Sequence, residues 1–165
     1  MRKFLVLMML LLASCAYALE LPDSVNEWQC VNEHIVTLTP VATGENLGRM
    51  VYRDYERESP RGYVQVILTE GTGTGSLYVP ERVRAGGLMP SDSEYRILDI
   101  AGRKAILEHH ENIPLSLAVD ADNNVVLTIE SSALDEEGLI EFAVNILQEA
   151  KISRKELDKN GNSNQ

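Results

Sequence analysis

Apolar and polar positions alternate in two different periods along this chain, and the clearest change of period falls between residues 123 and 150. Val125, Leu127 and Ile129 share one parity and Val126, Thr128 and Glu130 the other, a period-two pattern rich in β-branched residues that predicts a half-buried strand. Ser131 and Ser132 end it. Leu139, Phe142, Ala143, Ile146, Leu147 and Ala150 then recur at helical spacing and make one apolar stripe. Asp135 suits the N-cap, because its carboxylate accepts hydrogen bonds from the unpaired N–H groups of the first turn. Glu136 and Glu137 follow at the positive end of the helix dipole, and Lys151, Arg154 and Lys155 lie toward the negative end. Gly138 is a local flaw, worth about 1 kcal/mol against Ala. The stripe needs an apolar surface to lie on, and the remaining patterns supply a sheet.

Ile35 to Thr39 alternates and predicts a strand closed by Pro40. Before it, Pro22-Asp23-Ser24 reads as a turn into one helical turn around Val25 to Trp28, with Trp28 plugging one end of the core. Arg49 to Arg57 reads better as a strand than as a helix. It places Arg49, Val51, Arg53, Tyr55 and Arg57 on one face, and Ser59-Pro60-Arg61-Gly62 turns it into a second strand, Tyr63 to Thr69. Tyr95 to Ile100 and Arg103 to Glu108 flank Ala101-Gly102. Leu115 to Val119 pairs with the strand from Val125 across the acidic turn Asp120 to Asn124. The expected fold is therefore α+β: an antiparallel sheet of about six or seven strands, with a helix from about Asp135 to Ala150 packed on one face. Residues 19–153 form one domain, and 154–165 have the composition of a disordered tail.

The amino end changes the picture from fold to address. Arg2 and Lys3 precede the unbroken apolar run Phe4 to Leu12, which is too short to span a bilayer and fits a secretory signal peptide over residues 1–18. Two cleavage sites compete. Ala16-Tyr17-Ala18 has the small-x-small form and would leave Leu19 first. Leu12-Ala13-Ser14-Cys15 resembles the lipobox of bacterial lipoproteins. That resemblance implies lipidation of Cys15, a membrane partner through the acyl chains, and a cell-envelope location, with the outer membrane favoured because Ala16 stands where Asp would retain the protein at the inner one. The alternative is a periplasmic or secreted soluble form. Either cleavage leaves Cys30 as the remaining unmodified thiol, so the domain rests on its core without an internal disulfide.

The chain has 165 residues and a formal charge of −10. With the leader's two cations set aside, 13 basic side chains face 25 acidic ones, or −12. That excludes nucleic acid as an expected partner, since phosphates call for a basic surface. Candidate chemistry is sparse. Gly71-Thr72-Gly73-Thr74-Gly75 lacks the Lys-Ser/Thr and following helix of a phosphate loop, and reads as a connection. Gly71, Gly73 and Gly75 remain ligand-binding candidates, as do Arg49 and Arg53 on their strand face, although pairing of those arginines with Asp54, Glu56, Glu58 or their neighbours is the plainer expectation. His109 and His110, flanked by Glu108 and Glu111, would point to opposite faces of a strand and could not share one ion. The acidic turn at 120–124 lacks EF-hand spacing. No catalytic set, metal site or cofactor is expected.

The strand from Asn124 to Ile129, followed by Leu134-Asp135-Glu136-Glu137-Gly138-Leu139-Ile140-Glu141, is similar to the closing strand and helix of small bacterial envelope domains in which a terminal helix covers an antiparallel sheet. The similarity implies a fold and no activity. The function expected is a non-enzymatic envelope lipoprotein that binds a protein partner or small ligand on an exposed sheet face or at the Gly-rich loop. The alternatives are an envelope hydrolase using carboxylates with His109 or His110, and a regulatory or inhibitory domain for another envelope protein.

Overall fold

The computed structural model describes residues 19–39, 42, 44–71, 94–110, 113–122 and 124–161, with backbone alone from 151 onward. The leader with Cys15, the glycines Gly73 and Gly75, the segment 81–92 and residues 162–165 lie outside the described residues.

The strands are β1 (Ser24–Val25), β2 (Trp28–Leu38), β3 (Gly48–Glu58), β4 (Arg61–Gly71), β5 (Glu94–Ile100), β6 (Arg103–His109), β7 (Leu115–Asp122) and β8 (Val125–Ser131), and one helix, α1 (Glu136–Gly161), follows. All pairings are antiparallel and the order is β1-β2-β3-β4-β8-β7-β6-β5. The α+β class with a carboxyl-terminal helix is as expected, but the described residues form eight strands rather than six or seven. The added strand is β1. Residues around Val25 to Trp28, expected as a helical turn, instead make a tight hairpin in which Val25 pairs with Trp28 and Asn26 takes a φ of 51°. Asn tolerates that left-handed conformation better than most residues. The helix runs on past Ala150, where its apolar stripe ends, to Gly161.

Two four-stranded meanders are joined edge to edge. The first ends in β4 and the second in β8, and these two strands pair from Gln65↔Glu130 to Glu70↔Val125. The β5–β6 turn uses Ala101 and Gly102 at φ of 54° and 74°, the pair of positive values that a type I′ hairpin requires. Gly48 and Gly71 sit opposite each other with φ of 145° and 137°. A Cβ on Gly71 would lie 2.0 Å from the Leu47 carbonyl oxygen, so the close backbone approach there admits no side chain.

One face of the sheet is buried under α1. Val51 and Tyr55, Val64, Val66 and Leu68, Leu117 and Val119, and Leu127 and Ile129 meet Leu139, Phe142, Ala143, Ile146 and Leu147. Phe142 stands edge-on to both Trp28 and Tyr55, at centroid distances of 5.8 and 5.7 Å. Asp135 caps the helix, accepting from the Gly138 N–H at 2.9 Å. No helix among the described residues is long and apolar enough to cross a membrane.

Candidate functional site

Because successive strand residues point to opposite faces, each residue buried under α1 has neighbours on the helix-free face. The registers align those neighbours into rows. One row runs His34, Tyr52, Ile67, Thr128, Ala118, Ile106 and Ile97, each residue directly opposite the next. Its central members are half-buried and Ile97, on the last strand, is 61 % exposed. No described element covers this belt.

A polar row lies beside it: Asn32, Asp54, Gln65, Glu130, Ser116, Glu108 and Tyr95. Asp54 is its anchor. Its carboxylate accepts from the Tyr63 hydroxyl at 2.6 Å, Gln65 Nε2 at 3.1 Å and Asn32 Nδ2 at 3.0 Å. Partial burial pushes the Asp54 carboxyl up, but these three donors favour the charged form more strongly and hold it below its ordinary value. Partial burial and the adjoining carboxylate push the Tyr63 phenol up to about 12. At the far end the Tyr95 hydroxyl donates to Glu108 at 2.9 Å. The polar side chains at the two ends of the row are thus fixed by one another.

A second feature lies where α1 begins. A cleft of about 690 Å³ opens between the ends of β5, β6 and β8 and the first turn of the helix, within the range of small-molecule sites. His109, His110, Ser132, Asp135 and Glu136 border it, with Leu107 and Leu134 as apolar wall. Arg96 reaches across to Glu136 with two hydrogen bonds, one of 3.0 Å from Nη1 and one from Nη2. Both His109 and His110 border this cleft despite their adjacency; His109 ends β6 and His110 lies beyond the strand, where the alternation from which opposite faces were expected stops. Glu108 faces away toward Tyr95, and His34 is on β2 beside Tyr52 at a ring distance of 6.4 Å. Among the described residues no three His, Cys, Asp or Glu side chains are placed to hold a metal ion. Ser131, buried at the cleft's floor, donates to the Tyr63 carbonyl at 2.8 Å and accepts from the Ala133 N–H at 3.0 Å, so its hydroxyl holds the chain turn after β8.

Arg49, Arg53 and Arg57 do share one strand face, the side that carries α1, but their partners are not those nearest in sequence. Arg49 Nε donates to Glu70 at 2.7 Å. Arg53 Nε donates to Glu33 at 2.6 Å, and its Nη1 to the Leu21 carbonyl at 2.7 Å and to Asp23 at 3.1 Å. Burial pulls the Arg53 guanidinium down, and hydrogen bonds with Glu33 and Tyr55 outweigh it, leaving the group above its ordinary value. Arg57 stacks 4.5 Å over the Trp28 ring. Asp54 could not serve Arg53 because the two side chains leave opposite faces of β3. Gly71 lies diagonal to Arg49 at the end of β4, where its N–H donates to the Asn124 carbonyl at 3.0 Å. The Asp54 knot was not foreseen. The signal for it was present in the parity of Tyr63 and Gln65, which face one way on β4 while Val64 and Val66 face the other.

No family model, no curated protein and no solved structure matches the chain.

Proposed function

We propose that the protein is a non-catalytic binding domain held at the cell envelope through an acylated Cys15, and that a partner protein is taken on the helix-free face of the sheet. The observation that carries this reading is the belt of Tyr52, Ile67, Thr128, Ala118, Ile106 and Ile97, which crosses the sheet with apolar surface open to solvent. Contiguous exposed apolar surface framed by polar groups marks interaction sites. A sheet face is broad rather than concave, which suits a protein surface better than a small molecule. The acidic balance favours a partner with basic groups at its rim.

The face is tested with a photo-crosslinking residue at Tyr52 or at Ile106. Both positions should capture one and the same envelope protein, the purified pair should bind saturably, and Ile67→Asp should weaken that binding at least tenfold while thermal stability holds. Capture that is equally strong from Glu141, on the exposed side of α1, overturns the reading. The anchor has a separate test. The mature protein's intact mass should show an acylated Cys15 start, and Cys15→Ala should leave the membrane fraction; an unmodified Leu19 start refutes lipidation.

A second reading, a hydrolase in the end cleft, is favoured by one observation: His109, His110, Asp135 and Glu136 border the same 690 Å³ space. Turnover of an ester, peptide or glycoside probe that disappears in both His109→Ala and His110→Ala would replace the binding reading with this one.

A further inference from the structure

The two ends of the sheet differ in how they are protected. β1 covers β2 only at Trp28 and Gln29, and no described strand lies outside Val31 to Leu38. An uncovered edge is a template for another strand unless charge, proline or twist blunts it. At the other edge, β5 carries Glu94, Arg96 and Asp99 within seven residues. The free run of β2, Val31-Asn32-Glu33-His34-Ile35-Val36-Thr37-Leu38, has one acidic residue and no Lys, Arg or Pro. Val31, Ile35 and Val36 are 55, 50 and 37 % exposed. A β-branched run of this length, exposed on both faces, is better suited to pairing than to solvent.

From this edge we infer that the protein forms a two-fold symmetric dimer, in which β2 of one copy pairs antiparallel with β2 of a second copy about Ile35. The proposal goes beyond the partner-binding reading and does not depend on it. Its basis is the edge's complementarity to itself. Leu38 turns its carbonyl toward β3, where it accepts from the Leu47 N–H at 2.9 Å. Alternation along the extended strand then turns the N–H and C=O groups of Thr37, Ile35 and Glu33 outward. A two-fold axis at Ile35 sets Ile35 opposite Ile35 of the other copy and Glu33 opposite Thr37, so every outward donor meets an outward acceptor.

Registers shifted toward the amino end are poorer. Shifting the axis by one residue toward the amino end places Glu33 against Ile35, which strands a carboxylate beside apolar surface. Shifting it by two sets Glu33 against Glu33. In the register about Ile35, Glu33 keeps its 2.6 Å bond to Arg53 and meets no like charge. Val36 meets His34 on the helix-free face. Because paired residues share parity, both helices fall on one side of the joined sheet and both open faces on the other. The interface is isologous and closes at two copies.

The test uses the full chain with Cys15→Ala, so that acyl chains do not drive association, and Cys30→Ser, so that no native thiol competes. In a hydrogen-bonded antiparallel pair the facing Cα atoms are about 5.5 Å apart, within the span a disulfide bridges. Mild oxidation should therefore convert Ile35→Cys to a covalent dimer readily and Val36→Cys far more slowly. Ile35→Pro removes an outward N–H without touching the β2–β3 ladder, and Ile35→Lys faces two cations across the axis while leaving the backbone intact. Each should weaken self-association, read by sedimentation, by roughly tenfold or more, with an unchanged far-ultraviolet spectrum. A protein that stays monomeric at the highest concentration reached, equal cross-linking from residues 35 and 36, or a dimer indifferent to Ile35→Lys overturns the proposal.

Discussion

Truncating Phe142 to Ala removes the side chain that ties α1 to the sheet. Phe142 is 4 % exposed, lies in the middle of the apolar stripe and meets Trp28 and Tyr55 edge-on at 5.8 and 5.7 Å. Loss of a buried Phe costs about 3–5 kcal/mol from transfer and cavity together. Each edge-to-face pair adds ~0.5–1.5 kcal/mol beyond area, which places this site in the upper part of the range. A domain of ordinary stability has only about 5–15 kcal/mol in all. With a urea m-value of roughly 2 kcal/mol/M, the midpoint should fall by about 1.5–2.5 M. Trp28 is the chain's single tryptophan, so its emission reports this corner of the core, where its ring meets Phe142 and lies under Arg57. The variant's native spectrum should shift to the red as the ring loses its partner. Glu141→Ala, one residue away on the exposed side, should change stability by no more than about 0.5 kcal/mol. A midpoint shift below about 0.5 M at unchanged m, or an unmoved Trp28 spectrum, would refute the docking of α1 on this cluster.

Arg53→Met keeps much of the side-chain volume but cuts the bonds to Glu33, Asp23 and the Leu21 carbonyl. Thermal unfolding should show a loss of about 1–3 kcal/mol, and limited proteolysis should cut earlier before β1. Asp54, held below its ordinary value, is a depressed carboxylate; the stability it contributes is complete above about pH 4 and is lost as pH falls through its lower folded value. The Tm gap between the native protein and Asp54→Asn should accordingly be constant from pH 7 to about 5 and narrow below 4; a gap that widens on acidification would contradict the donor set at Asp54. Gly71→Ala should destabilise by at least ~1–3 kcal/mol from its positive φ alone, and by more if the 2.0 Å approach to the Leu47 oxygen cannot relax; urea unfolding measures it. Ser131→Ala removes two part-buried hydrogen bonds, one donated to the Tyr63 carbonyl and one accepted from the Ala133 N–H, and should cost about 1–3 kcal/mol by the same assay.

What could be read in advance follows from which strands are buried on one face only. In β4 and β8 the odd–even contrast between Val64, Val66 and Leu68, and between Leu127 and Ile129, and their neighbours is complete, because α1 dries one side and solvent wets the other. The helix stripe is equally plain: Leu139, Phe142, Ala143, Ile146, Leu147 and Ala150 are all buried. β2 was legible only in its second half. Its outer edge leaves residues exposed on both faces, so no alternation is required of it, and the register slips between Cys30 and Asn32 where an extra residue is inserted. β1 is two residues long and carries no period at all; it forms because Val25 is fully buried and the Tyr55 hydroxyl and Arg53 guanidinium hold the Pro22 and Leu21 carbonyls. Long-range ion pairs were equally hidden. Arg53 finds Glu33 and Asp23 through the folding of three strands, while strand geometry denies it Asp54 next door.

The architecture separates what holds the domain together from what it can offer to others. Among the described residues every large side chain that is fully buried lies on the α1 side or in the β1–β2 corner, so stability is concentrated there on one face of one sheet. The opposite face needs its residues only to be compatible with β pairing, which Tyr52, Ile67, Thr128 and Ile106 satisfy as β-branched or aromatic types. The free edge of β2 needs them only to keep the ladder with β3. Substitutions at Ile35, Ile67 or Ile106 should therefore alter association while leaving unfolding midpoints within a few tenths of a kcal/mol to about 1 kcal/mol, whereas substitutions at Phe142, Leu127 or Val66 should do the reverse. A protein in which the two sets of effects were inseparable would have its belt packed against something, and the face proposed for a partner would then belong to the core.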